Sequence, residues 1–177
     1  SGFVYALSLA HSLLQTGQAR RLVVIGAEKM SSIIDWKDRV TCVLFGDGAG
    51  AVILEAVETA ACNTPDQGIW STHLHADGRQ GHLLRTNGGV GSTGRAGVIE
   101  MQGREVFKYA VEALSSVVDE ALAANGLKPE EIDLLVPHQA NLRIIEGTAK
   151  KLGMPMDKVV VTLDRHGNTS AASIPLA

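Results

Sequence analysis

Apolar residues of helical period open the chain. Phe3, Ala6, Leu7, Ala10, Leu13 and Leu14 recur at the i, i+3, i+4 spacing of one helix face. Val4 and Leu9 widen that face until little polar surface remains, which predicts a helix buried in a larger core. Gly17 supplies the left-handed stop favoured just past a last turn. The period then changes. Leu22 to Gly26 reads as a short buried strand, Cys42 to Phe45 as an apolar stretch, and AGAVILEAV (49–57) as a second strand, with FGDGAG (45–50) as the turn between. Residues 58–67 are polar, contain Pro65 and mark a linker. GIWSTHLHADG (68–78) restarts as an alternating strand with Ile69, Ser71, His73 and His75 on one face. The glycine-rich TNGGVGSTGRAG (86–97) is expected to be a mobile surface loop.

A long helix is predicted from about Gln102 to Asn125, burying Val106, Ala110, Ala113, Leu114, Val117, Ala121 and Leu122, with Asn125-Gly126 as its stop. IDLLVP (132–137) reads as a buried strand ended by Pro137, 141–152 as a helix closing at Gly153, and KVVVTL (158–163) as another strand. NTSAASIPLA (168–177) begins a further helix. Strands alternating with helices predict a layered α/β fold with parallel strand pairs. The division expected is 1–57 as the end of one unit, 58–67 as linker and 68–177 as most of a second.

Composition narrows the function. The 177 residues are 45% apolar but only 4% aromatic, which suits tight layers rich in Ala, Val, Leu and Gly. The net charge is −3 with both signs interspersed and no Lys/Arg block, so neither nucleic acid nor a membrane surface is expected as partner. No apolar run approaches the ~20 residues of a membrane span. Arg20 and Arg21 stand where a signal peptide would want its cleavage site, so a cytoplasmic location is expected. Cys42 and Cys62 suggest no disulfide framework, and neither has a neighbour in sequence that would hold a thiolate; Cys42, among apolar residues, reads as a small buried thiol.

Two polar islands interrupt apolar surroundings, VPHQANLRII (136–145) and DRHGNTSAAS (164–173). Each follows a predicted strand and leads into a predicted helix, the place where α/β sheets usually bind ligands. They carry His138 and Asn168. A neutral imidazole and a carboxamide can both donate to an oxygen that gains negative charge. On their own, Asn168 reads equally well as a helix N-cap and His138 as a core histidine. His73 and His75 share a strand face, but a zinc site needs three or four ligands and no third is evident, so no metal is expected. FGDGAG lacks the Gly-Lys-Ser/Thr ending of a P-loop, and its glycines read as close-packing positions. Glu28 reads as a structural carboxylate, while Arg39 and Arg143 are the basic residues to consider for anions.

HQANLRI and, thirty residues on, HGNTSAAS resemble the His and Asn motifs of β-ketoacyl-[acyl carrier protein] synthase III, a thiolase-fold condensing enzyme. The resemblance runs through SGFVYALSLA, WKDRVTCVLFGDGAGAV, STHLHADG, EVFK, VPHQANLRII, KKLGM and VVTLDRHGNTSAASIP, almost the whole chain. It implies a thiolase-like layered α/β fold and an acyltransferase. In the family the nucleophilic cysteine immediately precedes the stretch matching SGFVYAL, so the 177 residues are expected to be an internal piece, inactive alone, lacking the nucleophile and the C-terminal end.

The implied reaction is decarboxylative condensation of an acyl-CoA, typically acetyl-CoA, with malonyl-[acyl carrier protein], initiating fatty-acid synthesis without a cofactor. His138 and Asn168 would donate to the thioester oxygen of the enolate. Arg39, Arg104 and Asn141 are implied at coenzyme A, with Gly103, Phe107 and Ala140 along the pantetheine channel. The segment Gln139, Ala140, Asn141, Leu142 and Arg143 is implied to dock the carrier protein, and the complete enzyme to be a homodimer. Three departures stand out: the longer TAACNTPDQ linker, Arg104 where Asn is usual, and the loop GGVGSTGRAG. The rival readings are a synthase of quinolone or polyketide type and a non-catalytic interaction module.

Overall fold

A computed structural model describes residues 2–57 and 68–177; Cys62 and the expected linker 58–67 lie outside the described residues. The first helix, α1 (Gly2–Gln15), forms as its spacing predicts and ends at Gly17, whose φ is +69°. Strands β1 (Arg21–Glu28) and β2 (Gly48–Glu55) pair in continuous register from Arg21 opposite Glu55 to Glu28 opposite Gly48. That pairing is antiparallel, where the fold as a whole was expected to carry parallel strand pairs. A parallel pair needs a crossover, usually a helix. Residues 29–47 instead run through a tight turn at Met30–Ser32 and a series of turns containing the Cys42 to Phe45 stretch. One sheet face packs Leu22, Val24, Val52 and Leu54 against Phe3, Ala6, Leu7 and Ala10 of α1.

Residues 68–77 form no strand ladder among the described residues; side chains hold them instead. Tyr5 and Ser8 of α1 bond His75 O and Thr72 Oγ1 at 3.1 and 2.9 Å. Strands β3 (Leu84–Thr86) and β4 (Ile99–Met101) pair antiparallel. Between them a short helix, α2 (Val90–Thr93), stands where a loop was expected, closed by left-handed Gly94.

Helix α3 (Gly103–Asn125) closes on left-handed Gly126, but its interior face is narrower than expected. Ser115 and Leu122 are buried, and Ala113 is exposed. Helix α4 (Leu142–Lys151) is capped by Asn141, whose Oδ1 accepts from Ile144 N at 2.9 Å. Lys150 and Lys151 in its last turn suit the helix dipole. Its inner face, Ile145 and Ala149, joins Met154 and Val159 in a core cluster.

IDLLVP and KVVVTL meet at a single parallel bridge, Leu135 with Val159, and go no further as a ladder. Pro137 has no N–H to extend it. The Gln139 side chain takes over: Nε2 donates to Pro137 O and Val160 O, each at 3.0 Å, and Oε1 accepts from Thr162 N at 2.8 Å. The chain ends in α5 (Leu163–His166), a tight turn at Ser170–Ala172, and α6 (Ser173–Leu176).

Candidate active site

Glycines let the backbone close around Asn168. Gly167 adopts φ +64°, and Asn168 bridges to Phe45 in parallel: its N–H donates to Leu44 O and its O accepts from Gly46 N, both at 2.9 Å. A Cβ on Gly46 would lie 2.3 Å from His166 O, and one on Gly26 would lie 2.4 Å from Ala171 O. No other residue permits those approaches. FGDGAG is thus a close-packing turn, as its sequence suggested.

Asn168 is 9% exposed, and its amide orientation is fixed by its partners. Oδ1 accepts from Ser170 N at 2.9 Å, closing an Asx-type turn, so Nδ2 points the other way and reaches Ala140 O at 3.3 Å. The amide group has a second N–H to offer. Ser170 holds this turn in left-handed backbone at φ +50°, a conformation costly for a side-chain-bearing residue.

His138 sits on the other side of the same cleft. Its Nδ1 lies 2.6 Å from Ser173 Oγ, and burial pushes its pKa down to about 4. The imidazole is therefore neutral at pH 7, with one N–H and one lone pair. His138, Asn168 and Ser170 line a cleft of about 250 Å³ with Met30, Phe45 and Ile99 among its apolar walls. The start of α1 abuts the same turn: a Cβ on Gly2 would lie 3.7 Å from Ala171 Cβ.

The two sequence islands therefore converge, and Ala140 joins them through its carbonyl. Phe107 and Arg143 form a separate pair, the guanidinium lying 5.7 Å from the ring centroid and linking α3 to α4. Leu142 and Arg143 are exposed, as is Arg104 in the first turn of α3 beside Gly103. Arg39 stands exposed in the turn after Asp38, whose carboxylate is held below its usual range by the Thr41 hydroxyl, 2.6 Å away. Asn141 spends its oxygen on the α4 cap.

Gln139 is the correction. It is 1% exposed with both ends of its amide bonded inside, so it presents nothing to a docking partner. A side chain replacing the bonds that Pro137 denies the ladder must point inward.

His73 and His75 do share a face, but both imidazoles are spent on Glu120, at 3.0 and 2.6 Å, which ties residues 71–75 to α3. Those bonds hold the Glu120 carboxyl below its usual range. Cys42 is a half-buried free thiol beside Met30, Ile34 and Ile99. Glu28 accepts from Ala171 N at 3.3 Å, the structural carboxylate its position suggested. Sequence reasoning missed Ser170 and Ser173. Both stand in NTSAAS, but no spacing rule marks which serine turns toward an imidazole 35 residues away.

Comparison with known proteins places the chain by family and fold. Two family models match, 3-oxoacyl-[acyl-carrier-protein] synthase III over residues 1–78 and its C-terminal counterpart over residues 122–177. The β-ketoacyl-[acyl-carrier-protein] synthase III of Paramagnetospirillum magneticum is 61% identical over 177 residues, 100% of this chain and 54% of that protein. The crystal structure of the Aquifex aeolicus 3-oxoacyl-[acyl-carrier-protein] synthase III superposes with a TM-score of 0.90 at 47% identity, covering 99% of this chain and 53% of that one. The priming β-ketosynthase of the R1128 polyketide pathway follows at 0.81 and 35%, covering 99% and 52%.

The fold is that of the thiolase-like layered α/β condensing enzymes. Within that class, the chain belongs to the β-ketoacyl-[acyl carrier protein] synthase III family. It spans about half the length of the curated relatives it matches.

Proposed function

We propose that the full-length protein condenses an acyl-CoA primer, acetyl-CoA by preference, with malonyl-[acyl carrier protein] to give 3-oxoacyl-[acyl carrier protein], CO₂ and free coenzyme A, the first condensation of fatty-acid synthesis. The observation that carries this reading is the convergence of His138 and Asn168, from separate polar segments of the chain, on one apolar-walled cleft. The cysteine thiolate expected just ahead of α1, stabilised by the helix dipole, takes the acyl group from acyl-CoA, and coenzyme A departs as its own thiolate. The malonyl C–C bond to carboxylate then breaks, CO₂ leaves, and the electron pair passes to an enolate. His138 and Asn168 donate to its oxygen. The enolate carbon attacks the acyl carbonyl, the new C–C bond forms, and the thiolate departs.

Burial favours this donor role for the imidazole, because a cationic ring is disfavoured there. The steps are acyl transfer, decarboxylation and carbon–carbon bond formation, so no cofactor is invoked and acyl-CoA serves as substrate. Arg39, Arg104 and Asn141 are assigned to coenzyme A, and Gly103, Phe107 and Ala140 to the pantetheine arm. Leu142 and Arg143, exposed beside the cleft-bearing segment, are assigned to the carrier protein, with Ala140 and Asn141 behind them. The cation–π contact with Phe107 supports a fixed posture for Arg143, as register-setting docking charges require. We assign the complete enzyme to a cytoplasmic homodimer, with its two units divided at residues 58–67.

One structural match supports a second reading: the similarity to a polyketide priming ketosynthase, with a different primer on the same chemistry. Separated half-reactions test the choice. His138→Ala in the full-length protein should slow malonyl-thioester decarboxylation about 10²–10³-fold, while labelled acyl transfer from acetyl-CoA persists. Loss of both half-reactions together contradicts the role given to His138, and loading from aroyl-CoA but not acetyl-CoA selects the second reading.

A further inference from the structure

We infer that the Ser173 hydroxyl is a positioning group that sets the tautomer of His138, donating to Nδ1 so that the ring proton stays on Nε2 and faces the cleft. The choice of tautomer rests on the condensing reading above; the contact between Ser173 and Nδ1 does not.

A neutral imidazole has one N–H, so whatever holds the proton at one nitrogen decides what the other can offer. At His138 the holder is a single side chain. Nδ1 lies 2.6 Å from Ser173 Oγ, and Nε2 takes no hydrogen bond from the described residues. Ser173 is 1% exposed, so water does not stand in for its hydroxyl.

That hydroxyl has one hydrogen and two acceptors in reach, His138 Nδ1 and Ser170 O, the latter at 2.8 Å. The Ser170 carbonyl is already served: the backbone N–H of Ser173 donates to it. The imidazole nitrogen has no second donor among the described residues. Giving the hydrogen to Nδ1 keeps the Ser170 carbonyl, the Ser173 hydroxyl and Nδ1 all bonded and leaves Nε2–H as the donor. The opposite arrangement, with the hydroxyl donating to Ser170 O and accepting from Nδ1–H, bonds the same groups but turns a bare lone pair toward the cleft. A lone pair there would repel an oxyanion.

The local backbone supports the assignment. Ser170, at φ +50°, directs its N–H to Asn168 Oδ1 while its carbonyl caps Ser173. One strained residue thus fixes the Asn168 amide and frees the hydroxyl that orients the imidazole. Both donors are set by the same turn.

Long-range ¹H–¹⁵N correlation on the full-length protein labelled with [¹⁵N]histidine, with His138 assigned through His138→Gln, reads the tautomer directly. The expected result is Nε2 protonated and Nδ1 bare in the wild type, with a rising Nδ1–H fraction in Ser173→Ala and recovery in Ser173→Thr. A wild-type Nδ1–H ring overturns the inference without any variant, even if Ser173→Ala fails to fold. So does a Ser173→Ala ring with the wild-type tautomer. In kinetics, Ser173→Ala should lower kcat for malonyl decarboxylation about 10-fold or more with KM little changed. If His138→Ala proves harmless to decarboxylation while the tautomer still follows Ser173, the condensing reading falls and this inference stands.

Discussion

Burial keeps the His138 imidazole neutral, and that has a consequence for stability. Its pKa is lowered from 6.5 to about 4 in the fold, so between those values the unfolded chain binds a proton that the folded one refuses. Stability contributed at His138 is intact above pH 6.5 and is lost as the pH falls toward 4. Chemical unfolding at pH 7 and pH 5 should show the wild type losing about 2 kcal/mol more than His138→Gln over that interval. Equal losses would mean the ring is protonated in the fold. The sequence carried both polar side chains plainly, because His138 and Asn168 interrupt apolar runs. It could not carry their partners. Ser170 and Ser173 acquire their roles from a left-handed φ and from a contact across 35 residues, and neither leaves a local pattern. Gln139 misled for the opposite reason: a polar letter in a polar island faces inward to replace hydrogen bonds that Pro137 cannot make.

The turns and strands around the site depend on close approach. The segment 44–46 pairs with Asn168 only because Gly46 leaves room for His166 O, and β1 rests on the 170–172 turn because Gly26 leaves room for Ala171 O. Gly46→Ala places a Cβ against a backbone oxygen, where relief requires the Asn168 segment to move. We expect that variant to lose about 1–3 kcal/mol of stability and at least 10-fold in malonyl decarboxylation, by thermal unfolding and CO₂ release. Wild-type values in both would show that the bridge does not position Asn168. Helices were the legible elements: α1, α3 and α4 carry apolar periods, left-handed glycine stops and, in α4, an Asn cap. Strand pairing was less so. Apolar runs name strands but not direction, so the antiparallel pairing of β1 with β2 was not legible. GIWSTHLHADG alternates like a strand, yet its bonds go through His73, His75 and Ser71 to α3 rather than to a ladder.

The chain as a whole brings parts distant in sequence to one cleft: the β1–β2 connection, the β3–β4 pair, and the two polar junctions. Its fold matches the family closely, and the motifs behind that match run almost end to end. That is why family and fold could be read from the letters while the internal geometry could not. In the proposed reaction His138 and Asn168 serve one oxygen as a unit. Groups that act together do not add when removed together. The direct test is malonyl-thioester decarboxylation by full-length His138→Ala, Asn168→Ala and the double variant. Each single substitution should cost about 10²–10³ in kcat, and the double should cost little more than the worse single. Single variants near wild-type rate, or a double-variant loss equal to the product of the two, would contradict it.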